Sequence, residues 1–505
     1  MLTAVKWTAS FSRVFVQGDP FSLQNRPGTG DDQTTQFMKT CLPPAWFVPI
    51  AAAVCVLHLA FAAVTIQRSN QNLEASDQGA EIWMADVARQ DPLPARTDGV
   101  RHPLFSWLVK ALYVPSKEEF FVRGKWFNTA LSLVFLVTMG AATARHLGPT
   151  ATANLMLLSS LGILVVRGTY FQPEPLYYAL ITACAACGWC ILRGTRVLLI
   201  PLFGLLCGLA FLAKPSLGPF LAAFFAGLAA RVLACAIIQK RIPVPTLRTV
   251  IASLAGILIF AAVITPLGLF SAESFGKPFF NYPQYWMWMD DFDTEAWPWQ
   301  DKHPGRAQLE SLTAEETPSP AWFFRRHTLA HAVDRLVSGT REVIVRFFSP
   351  EPKKRWHSVF WKNADPGVKW EQVLVHRGIF PALLGVLVIV LAACQLPSLR
   401  AAFTTRPGLW GAAAFGAATL CGFSLLYGWY WPIGRGDRFM GSLWIPLILL
   451  LTVLAAKLNA SLPAGRHTLR RLYPLVHLVI LGLLLMQALS TALYFYGGGA
   501  LTTRN

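Results

Sequence analysis

Charge is scarce in this sequence. Asp, Glu, Lys and Arg together make up only 14% of its 505 residues, where a soluble domain carries about 25%. Acid is the scarcer sign, with 27 Asp and Glu against 44 Lys and Arg and a formal net charge of +17. Cysteine is sparse outside apolar stretches: of nine, none falls in the two long polar loops at 67–125 and 271–377, which excludes a disulfide-stapled scaffold. No cleavable leader pattern stands at the start. Residues 1–42 are mostly polar, with Gly18-Asp19-Pro20 and Pro27-Gly28-Thr29-Gly30 as loop signals, and are expected to form a cytoplasmic tail. The first apolar run, 43–66, is too long for a signal-peptide core and is expected to act as a signal anchor.

What is abundant is apolar surface. Hydrophobic residues make up 54%, gathered into runs near or above the ~20 residues that cross a bilayer core. The expected fold is therefore an all-α polytopic membrane protein of about eleven spans. They lie near 43–66, 126–144, 150–166, 175–192, 197–213, 216–235, 248–270, 378–395, 408–428, 440–456 and 474–496. Lys214-Pro215 interrupts the pair 197–213 and 216–235, the least regular of these. Cys184, Cys187 and Cys190 recur at helical spacing; small, soft side chains packing between membrane helices account for them more simply than a metal or redox site.

The basic surplus does not call for nucleic acid. With the N-terminus inside, the short inner connections carry Arg145; Arg193 and Arg196; Arg231, Lys240, Arg241 and Arg248; Arg400 and Arg406; and Lys457, Arg466, Arg470 and Arg471, as the positive-inside rule requires. A modest share of this charge can serve an anionic lipid or a phosphate. The C-terminus and both long loops then fall outside. The chain divides into a tail (1–42), an N-terminal transmembrane module (43–270) carrying the first outer loop (67–125), a large outer loop (271–377) and C-terminal transmembrane helices (378–505). A plasma or inner membrane is expected, with the site facing the periplasm or exterior.

Several outer features hold the polar residues that can carry chemistry. Ser76-Asp77 can cap a helix to about Gln90. On it Asp77 and Glu81, four apart, share a face, while Asp86 points elsewhere. Capping and a solvated face are the bland account of these acids. Arg101-His102-Pro103-Leu104 follows, opening a short helix at about 103–113 with Leu104, Trp107, Leu108 and Leu112 at amphipathic spacing, fit to lie on the membrane surface. Ser116-Lys117-Glu118-Glu119 resembles a capping box for the next span. Arg167-Gly168-Thr169-Tyr170-Phe171-Gln172-Pro173-Glu174 is a short turn between spans, Lys214 sits at the next outer turn, and Arg435, Asp437 and Arg438 precede a late span. Singly, each cation reads as a snorkelling anchor; together, acids and cations converge on one side. The second loop is too long for a bare connection. It holds eight of the eighteen tryptophans, and Trp286, Trp288, Trp297 and Trp299 suit an interfacial belt or packing better than a sugar-stacking platform.

Such a set fits transfer from a sugar phosphate. The leaving group is already stable as an anion, so cations and one general base suffice, whereas a glycosidase needs a second carboxyl group to protonate its leaving group. In order and spacing the chain resembles the membrane-embedded C-type glycosyltransferases, especially the protein O-mannosyltransferases and bacterial polyprenyl-phosphate-sugar transferases. Asp77 falls at the family's acidic motif. His102-Pro103-Leu104 resembles its basic-Pro-Pro-Leu element, Glu174-Pro175-Leu176-Tyr177 its acidic-x-Leu-Tyr turn, Gly208–Lys214 its Gly-Leu-Ala…Lys segment, and Asp437-Arg438-Phe439 its Arg-Tyr motif. The resemblance spans most of residues 43–456.

It implies a polyprenyl- or dolichyl-phosphate sugar donor, an acceptor hydroxyl on a protein, lipid or glycan, and an inverting single displacement. Asp77 would be the base or orient the acceptor. Glu81 and Glu174 would shape the site, Arg101, Lys214 and Arg438 would contact the donor phosphate, and His102 would position the first loop. Asp77-Gln78 stands where many relatives have two adjacent acids, so no metal and no other cofactor is expected. The alternative is a transporter or flippase of a lipid-linked or anionic substrate, but transporters set their ionisable groups near the midplane and are often built from repeated halves, and no repeat is visible here. A non-catalytic assembly subunit would not need this set of charges.

Overall fold

The structure is a computed structural model that describes residues 43–68, 71–74, 77–194, 196–348, 377–434, 440–463 and 465–496. Among these residues every regular element is helical. The expected tail, Ser76 and the group Arg435, Asp437 and Arg438 lie outside the described residues.

The spans form where the apolar runs are long. We label them α1 (Phe47–Arg68), α4 (Lys117–Leu147), α5 (Pro149–Ser159, continued by a π-turn at Ser160–Leu164 and a last turn to Gly168), α6 (Glu174–Gly194), α8 (Gly218–Gln239), α9 (Val244–Phe275), α13 (Pro407–Trp429), α14 (Trp444–Ala460) and α15 (His467–Tyr496). The first long loop adds α2 (Gln78–Val87) and α3 (Leu104–Val109), and the second adds α10 (Leu329–Phe348) after several shorter turns. Proline opens several spans at its first or second position, as at Pro149, Pro219, Pro245 and Pro407, where its missing N–H costs nothing.

Nine helices among the described residues are long and apolar enough to span a bilayer, or ten if one bent pair counts as a single span. Two of the eleven expected spans account for the difference. The segment 197–213 yields α7 (Ile200–Ala213), which with its leading 3₁₀ turn remains shorter than a span before Lys214-Pro215 breaks it. The run at 378–395 yields α11 (Ile379–Ala393), which turns by 84° into α12 (Leu396–Thr405), with Pro397 opening the second helix.

Close helix contacts use glycine. A Cβ at Gly227 of α8 would lie 2.7 Å from the Gly411 carbonyl of α13, and one at Gly339 of α10 would lie 2.0 Å from the Gly428 carbonyl. Small residues let backbones approach this way inside membranes. The second contact seats the loop helix α10 on the end of α13, burying Ala332, Arg335, Gly339, Val343 and Phe347 along one face.

The helix expected at 103–113 is present as α3 and a 3₁₀ turn from Lys110 to Leu112, and one side of it docks on the bundle. Leu104, Phe105 and Val109 of α3 are buried in the main core, because the apolar stripe finds Phe120, Phe121 and Phe171 before it finds lipid; the Phe105 and Phe171 rings meet edge-on at 5.4 Å. At Ser116 the hydroxyl accepts from Glu119 N at 3.2 Å. The reciprocal half of a capping box is replaced by ion pairing, since Glu119 takes Arg123 at 2.6 Å.

Candidate functional site

Three of the expected outer features meet at one end of the bundle. Asp77 occupies the N-cap position of α2, but its side chain makes no capping bond. Its carboxylate instead accepts from Arg101 Nη2 at 2.7 Å, an ion pair stronger than a neutral amide can offer. Arg101 Nη1 donates to Asp98 Oδ2 at 2.5 Å. The other Asp98 oxygen accepts from the backbone N–H of Val100 and Arg101 at 2.8 and 2.7 Å, and Thr97 Oγ1 donates to Arg101 O at 2.6 Å. The turn thus fixes Asp98, Asp98 fixes Arg101, and Arg101 fixes Asp77. Burial alone would lower the Arg101 pKa, but Asp98, Asp77 and Glu81 together raise it.

Asp77 and Glu81 stand one turn apart, with Glu81 N bonded to Asp77 O at 3.0 Å. Their surroundings differ. The Asp77 side chain is 27% exposed, so an acceptor can reach it. Glu81 is buried and takes the Ser106 hydroxyl at 2.5 Å. Burial pushes its carboxyl up to about 8, against the lowering effect of Ser106 and Arg101, so at neutral pH it is largely protonated. Asp86, on the other face, is exposed and pairs with Arg89 at 3.3 Å.

His102 is buried, and its Nδ1 lies 2.5 Å from the Phe211 carbonyl. A carbonyl only accepts, so Nδ1 must carry the proton. Burial lowers the ring's pKa to about 4, leaving it neutral. This bond ties the first loop to the last turn of α7, whose C-cap is Lys214. Lys214 Nζ in turn reaches Glu174 Oε1 at 2.7 Å, with side-chain exposures of only 12% and 2%. Gln78, fully buried beside Asp77, accepts from Phe171 N at 2.9 Å and so pins α2 to the turn that leads to Glu174. Asn128 of α4 holds the same turn by donating to the Tyr170 and Gln172 carbonyls at 2.9 and 3.0 Å.

Asp77, Glu81, Arg101 and His102 therefore form one cluster, linked through Gln78 and Phe211 to the Glu174–Lys214 pair. Arg438 lies outside the described residues. Residues not anticipated from the sequence are Asp98, Ser106 and Gln78, which set the orientation of the others. Asp98-Gly99 is a turn dipeptide that flags the loop, but nothing local marks its carboxylate as the partner of Arg101. Ser106 and Gln78 leave no sequence signal, since their partners are 25 and 93 residues away.

The tryptophans of the second loop divide. Trp286 is buried, and Trp299 packs beside it with Tyr282, Tyr285 and Phe280. Trp288 lies edge-on to Trp429 at 5.6 Å. Trp297 alone of the four is largely exposed, at 46%. Packing accounts for the first three. Cys184 and Cys207 pack face to face between α6 and α7 with sulfurs 3.7 Å apart.

A grouping with metal-ligand chemistry lies in the second loop, where ligand atoms of Asp290, His327 and His331 fall within 4.8 Å of one another. His327 Nε2 is 2.8 Å from Asp290 Oδ2, and the two imidazoles stack at 4.3 Å. The spacing His327-x3-His331 is the only signal in the sequence, with His327 in extended backbone just before α10 and His331 in its first turn. However, Asp290 also carries Arg335 at 3.3 Å and Arg326 at 3.7 Å. A carboxylate bracketed by two guanidiniums has little charge left for a cation, and its contacts pin the loop to α13 through Arg335 and the Trp429 carbonyl at 2.9 Å.

No family model, curated protein or solved structure matches the chain.

Proposed function

We propose that the chain is a membrane-embedded glycosyltransferase that moves a sugar, with inversion, from a polyprenyl- or dolichyl-phosphate donor to a hydroxyl of a protein, lipid or glycan acceptor, working at the outer face of a plasma or inner membrane. The observation that carries the reading is Asp77: a partly open carboxylate, aimed by Arg101 and Asp98, on the same end of the bundle as the buried Glu174–Lys214 pair. The ordered motif resemblance to C-type glycosyltransferases is the second support.

Asp77 accepts the proton of the acceptor hydroxyl. The acceptor oxygen attacks the anomeric carbon as the bond from that carbon to the phosphate oxygen breaks. The phosphate leaves as an anion and needs no proton donor. Lys214 and Arg438 supply the positive charge that meets it. Arg101 is assigned a different part from the one its type suggested: its fork already holds two carboxylates, so it positions Asp77 and does not grip phosphate. Glu81, buried and protonated, shapes the wall behind Asp77, and His102 holds the first loop on α7.

The transporter alternative draws on His58, which is buried within α1 and sits 2.8 Å from Ser160 at the π-turn of α5; such groups inside a membrane often line pathways. One experiment separates the two. Purified protein is incubated with a panel of labelled polyprenyl-phosphate sugars, with and without candidate acceptors. Acceptor-dependent release of polyprenyl phosphate is the expected result. Flux of the intact lipid-linked sugar across proteoliposomes, with no bond cleaved, favours transport instead.

A further inference from the structure

The loop helix α10 falls short of a span, since Asp334, Arg335, Arg341, Glu342 and Arg346 interrupt it. One face packs on the bundle, with Ala332, Gly339, Val343 and Phe347 buried. Leu329, Val333, Val337 and Ile344 form a second row beside it, within a sector of about 80°, and they are between 41% and 71% exposed. The polar side chains of His331, Asp334, Ser338, Arg341 and Glu342 gather in a sector of about 100° on the remaining side. Val345 is the one large apolar residue exposed there. A helix divided in this way, charged along one side and apolar along the next, has the pattern of one held in a membrane interface.

The seat of α10 on the bundle points to what meets its exposed row. Arg335 Nε donates to the Trp429 carbonyl at 2.9 Å, and Thr340 Oγ1 to the Ser424 carbonyl at 3.5 Å. Steps forward along α10 are thus steps back along α13, and α10 runs antiparallel to α13 from its Trp429 end inward. The Phe347 ring meets the Trp444 ring edge-on at 6.0 Å, and the Trp444 indole donates to the Leu158 carbonyl, midway along α5, at 3.0 Å. The last turns of α10 therefore lie beside spans, and they are apolar on every side. Of Val343–Phe348 only Arg346 is polar, and it pairs with Glu342 at 3.8 Å and lies over the Trp431 ring at 4.5 Å. The side of α13 that α10 covers is also the side that faces lipid. Gly428, Cys421, Ala417 and Trp410 share a sector of about 40°. Gly428 lies against Thr340, while Cys421, Ala417 and Trp410, deeper along the span, are exposed.

We infer that α10 is a membrane anchor of the second long loop, inserted C-terminal end first into the leaflet at the Trp429 end of α13. Val337, Ile344 and Val345 meet acyl chains, and Leu329 and Val333 lie at headgroup level. A soluble protein seated on the row would not account for last turns that are apolar all round, nor for a row that continues the lipid-facing side of α13. Insertion into lipid accounts for both, and it explains why Val345 departs from the polar side only at the deep end. The anchor also fixes the loop above it. Arg335 donates from Nη1 to Asp290 at 3.3 Å and from Nη2 to the Met287 carbonyl at 3.1 Å, so the depth of α10 sets the height of the loop's core over the membrane. The inference stands apart from the glycosyltransferase reading, since it uses none of the residues of the Asp77 cluster.

The test uses the full-length protein in proteoliposomes of palmitoyl-oleoyl phosphatidylcholine. The photoreactive residue benzoylphenylalanine replaces Val337, Ile344, Val345, Asp334 and Ser338 one at a time, and adducts are identified by mass spectrometry. Acyl-chain adducts should form at Val337, Ile344 and Val345, with none above background at Asp334 and Ser338. Val345 and Ser338 lie on one side of the helix, so the difference between them reads its descent into the leaflet. Independently, Ile344→Asp should open the second loop, and not the spans, to limited proteolysis in the same liposomes, whereas Ser338→Asp should leave it protected. Lipid adducts no more frequent at Val337 than at Ser338 overturn the inference, as does equal proteolysis of the two aspartate variants. Cross-links between two copies of the chain at Val337 or Ile344, in place of lipid adducts, assign the row to a dimer contact and overturn it as well.

Discussion

Arg101 stands between two carboxylates of its own loop, Asp77 at 2.7 Å and Asp98 at 2.5 Å. A guanidinium can serve both at once because its donors are fixed in a planar fork; an ammonium on a flexible stem cannot hold the same geometry. Arg101→Lys should therefore keep the charge and lose the aim of Asp77. We expect turnover to fall about tenfold or more with little change in donor affinity, since on this account Arg101 touches no phosphate. Separate measurement of kcat and donor KM checks this. A large rise in KM with kcat intact would return Arg101 to the donor site.

Asp77→Asn keeps size and shape but removes the base. The expected loss in transfer is about 10²–10⁴-fold, the usual range for a general base, with only a small drop in melting temperature, since Arg101 keeps its bond to Asp98. Asp86→Asn, on the exposed face with Arg89, should cost far less. Equal losses at the two positions would show that the helix face bearing the chemistry has been misassigned.

Glu81 makes stability depend on pH. Its folded pKa, raised by burial to about 8, lies above its unfolded value near 4.3. Between the two, the unfolded chain releases a proton that the folded chain keeps. The contribution is thus fully present below the unfolded pKa and is lost as pH rises through about 8. His102 acts in the opposite sense: its folded pKa is lowered to about 4, so its contribution is lost as pH falls below about 6.5. The two oppose each other between roughly pH 4.5 and 6.5, leaving Glu81 alone above that. Melting temperatures from pH 6.5 to 8 should fall for the parent, by the equivalent of roughly 1–2 kcal/mol, and stay level for Glu81→Gln. A parallel fall in both proteins would remove Glu81 as the cause.

Much of the membrane architecture was legible because run length is itself the signal. Phe47–Arg68 and Val244–Phe275 need no partner to be recognised as spans. The two departures come from local chemistry that run length does not weigh. Lys214-Pro215 ends α7 before it has the length of a span, and Leu396-Pro397 opens a helix 84° away from the one before it. In the site, residue types and their gathering at one end of the bundle could be read, and partners could not. On the sequence alone Arg101 is expected to be a phosphate ligand because the resemblance to C-type glycosyltransferases implies one, although singly it reads as a snorkelling anchor. Only the fold shows that Asp98, three residues upstream, and Asp77, twenty-four upstream, occupy its fork. The second loop hid its order for another reason. Its core joins Phe280, Tyr282 and Trp286 to Val100 and Ile433 from distant segments, so no periodicity along the loop records it.

The Glu174–Lys214 pair is nearly dry, and removing one member of such a pair leaves a buried charge without its nearest counter-charge. Glu174→Gln or Lys214→Met alone should destabilise by about 3–5 kcal/mol. The double variant Glu174→Gln, Lys214→Met should recover a good part of that stability, because neither charge then remains to be solvated. Activity should stay low in both proteins that lack Lys214, even where stability recovers, if Lys214 meets the donor phosphate. Denaturant midpoints for the four proteins complete the cycle; strictly additive losses would mean that the two side chains do not depend on each other.

Gly99 tests whether the two long loops work as one body. Its φ is +80°, and a Cβ there would stand 2.7 Å from the Tyr282 ring. Tyr282 is buried in the second loop's core, its N–H donates to the Gly99 carbonyl at 2.7 Å, and its hydroxyl donates to the His303 carbonyl at 2.6 Å. An alanine at 99 meets both a left-handed backbone and an aromatic ring that cannot retreat without breaking these bonds, at a cost of about 1–3 kcal/mol. The strain falls one residue from Asp98, and so reaches Arg101 and Asp77. Gly99→Ala should open the second loop to limited proteolysis and lower turnover together. Gly305→Ala is the matched control, since Gly305 has φ −155° and a Cβ there meets nothing closer than Gln308 Oε1 at 3.6 Å. If Gly99→Ala resists protease and turns over as well as Gly305→Ala, the contact between the loops is incidental and Asp98 holds Arg101 without help from Tyr282.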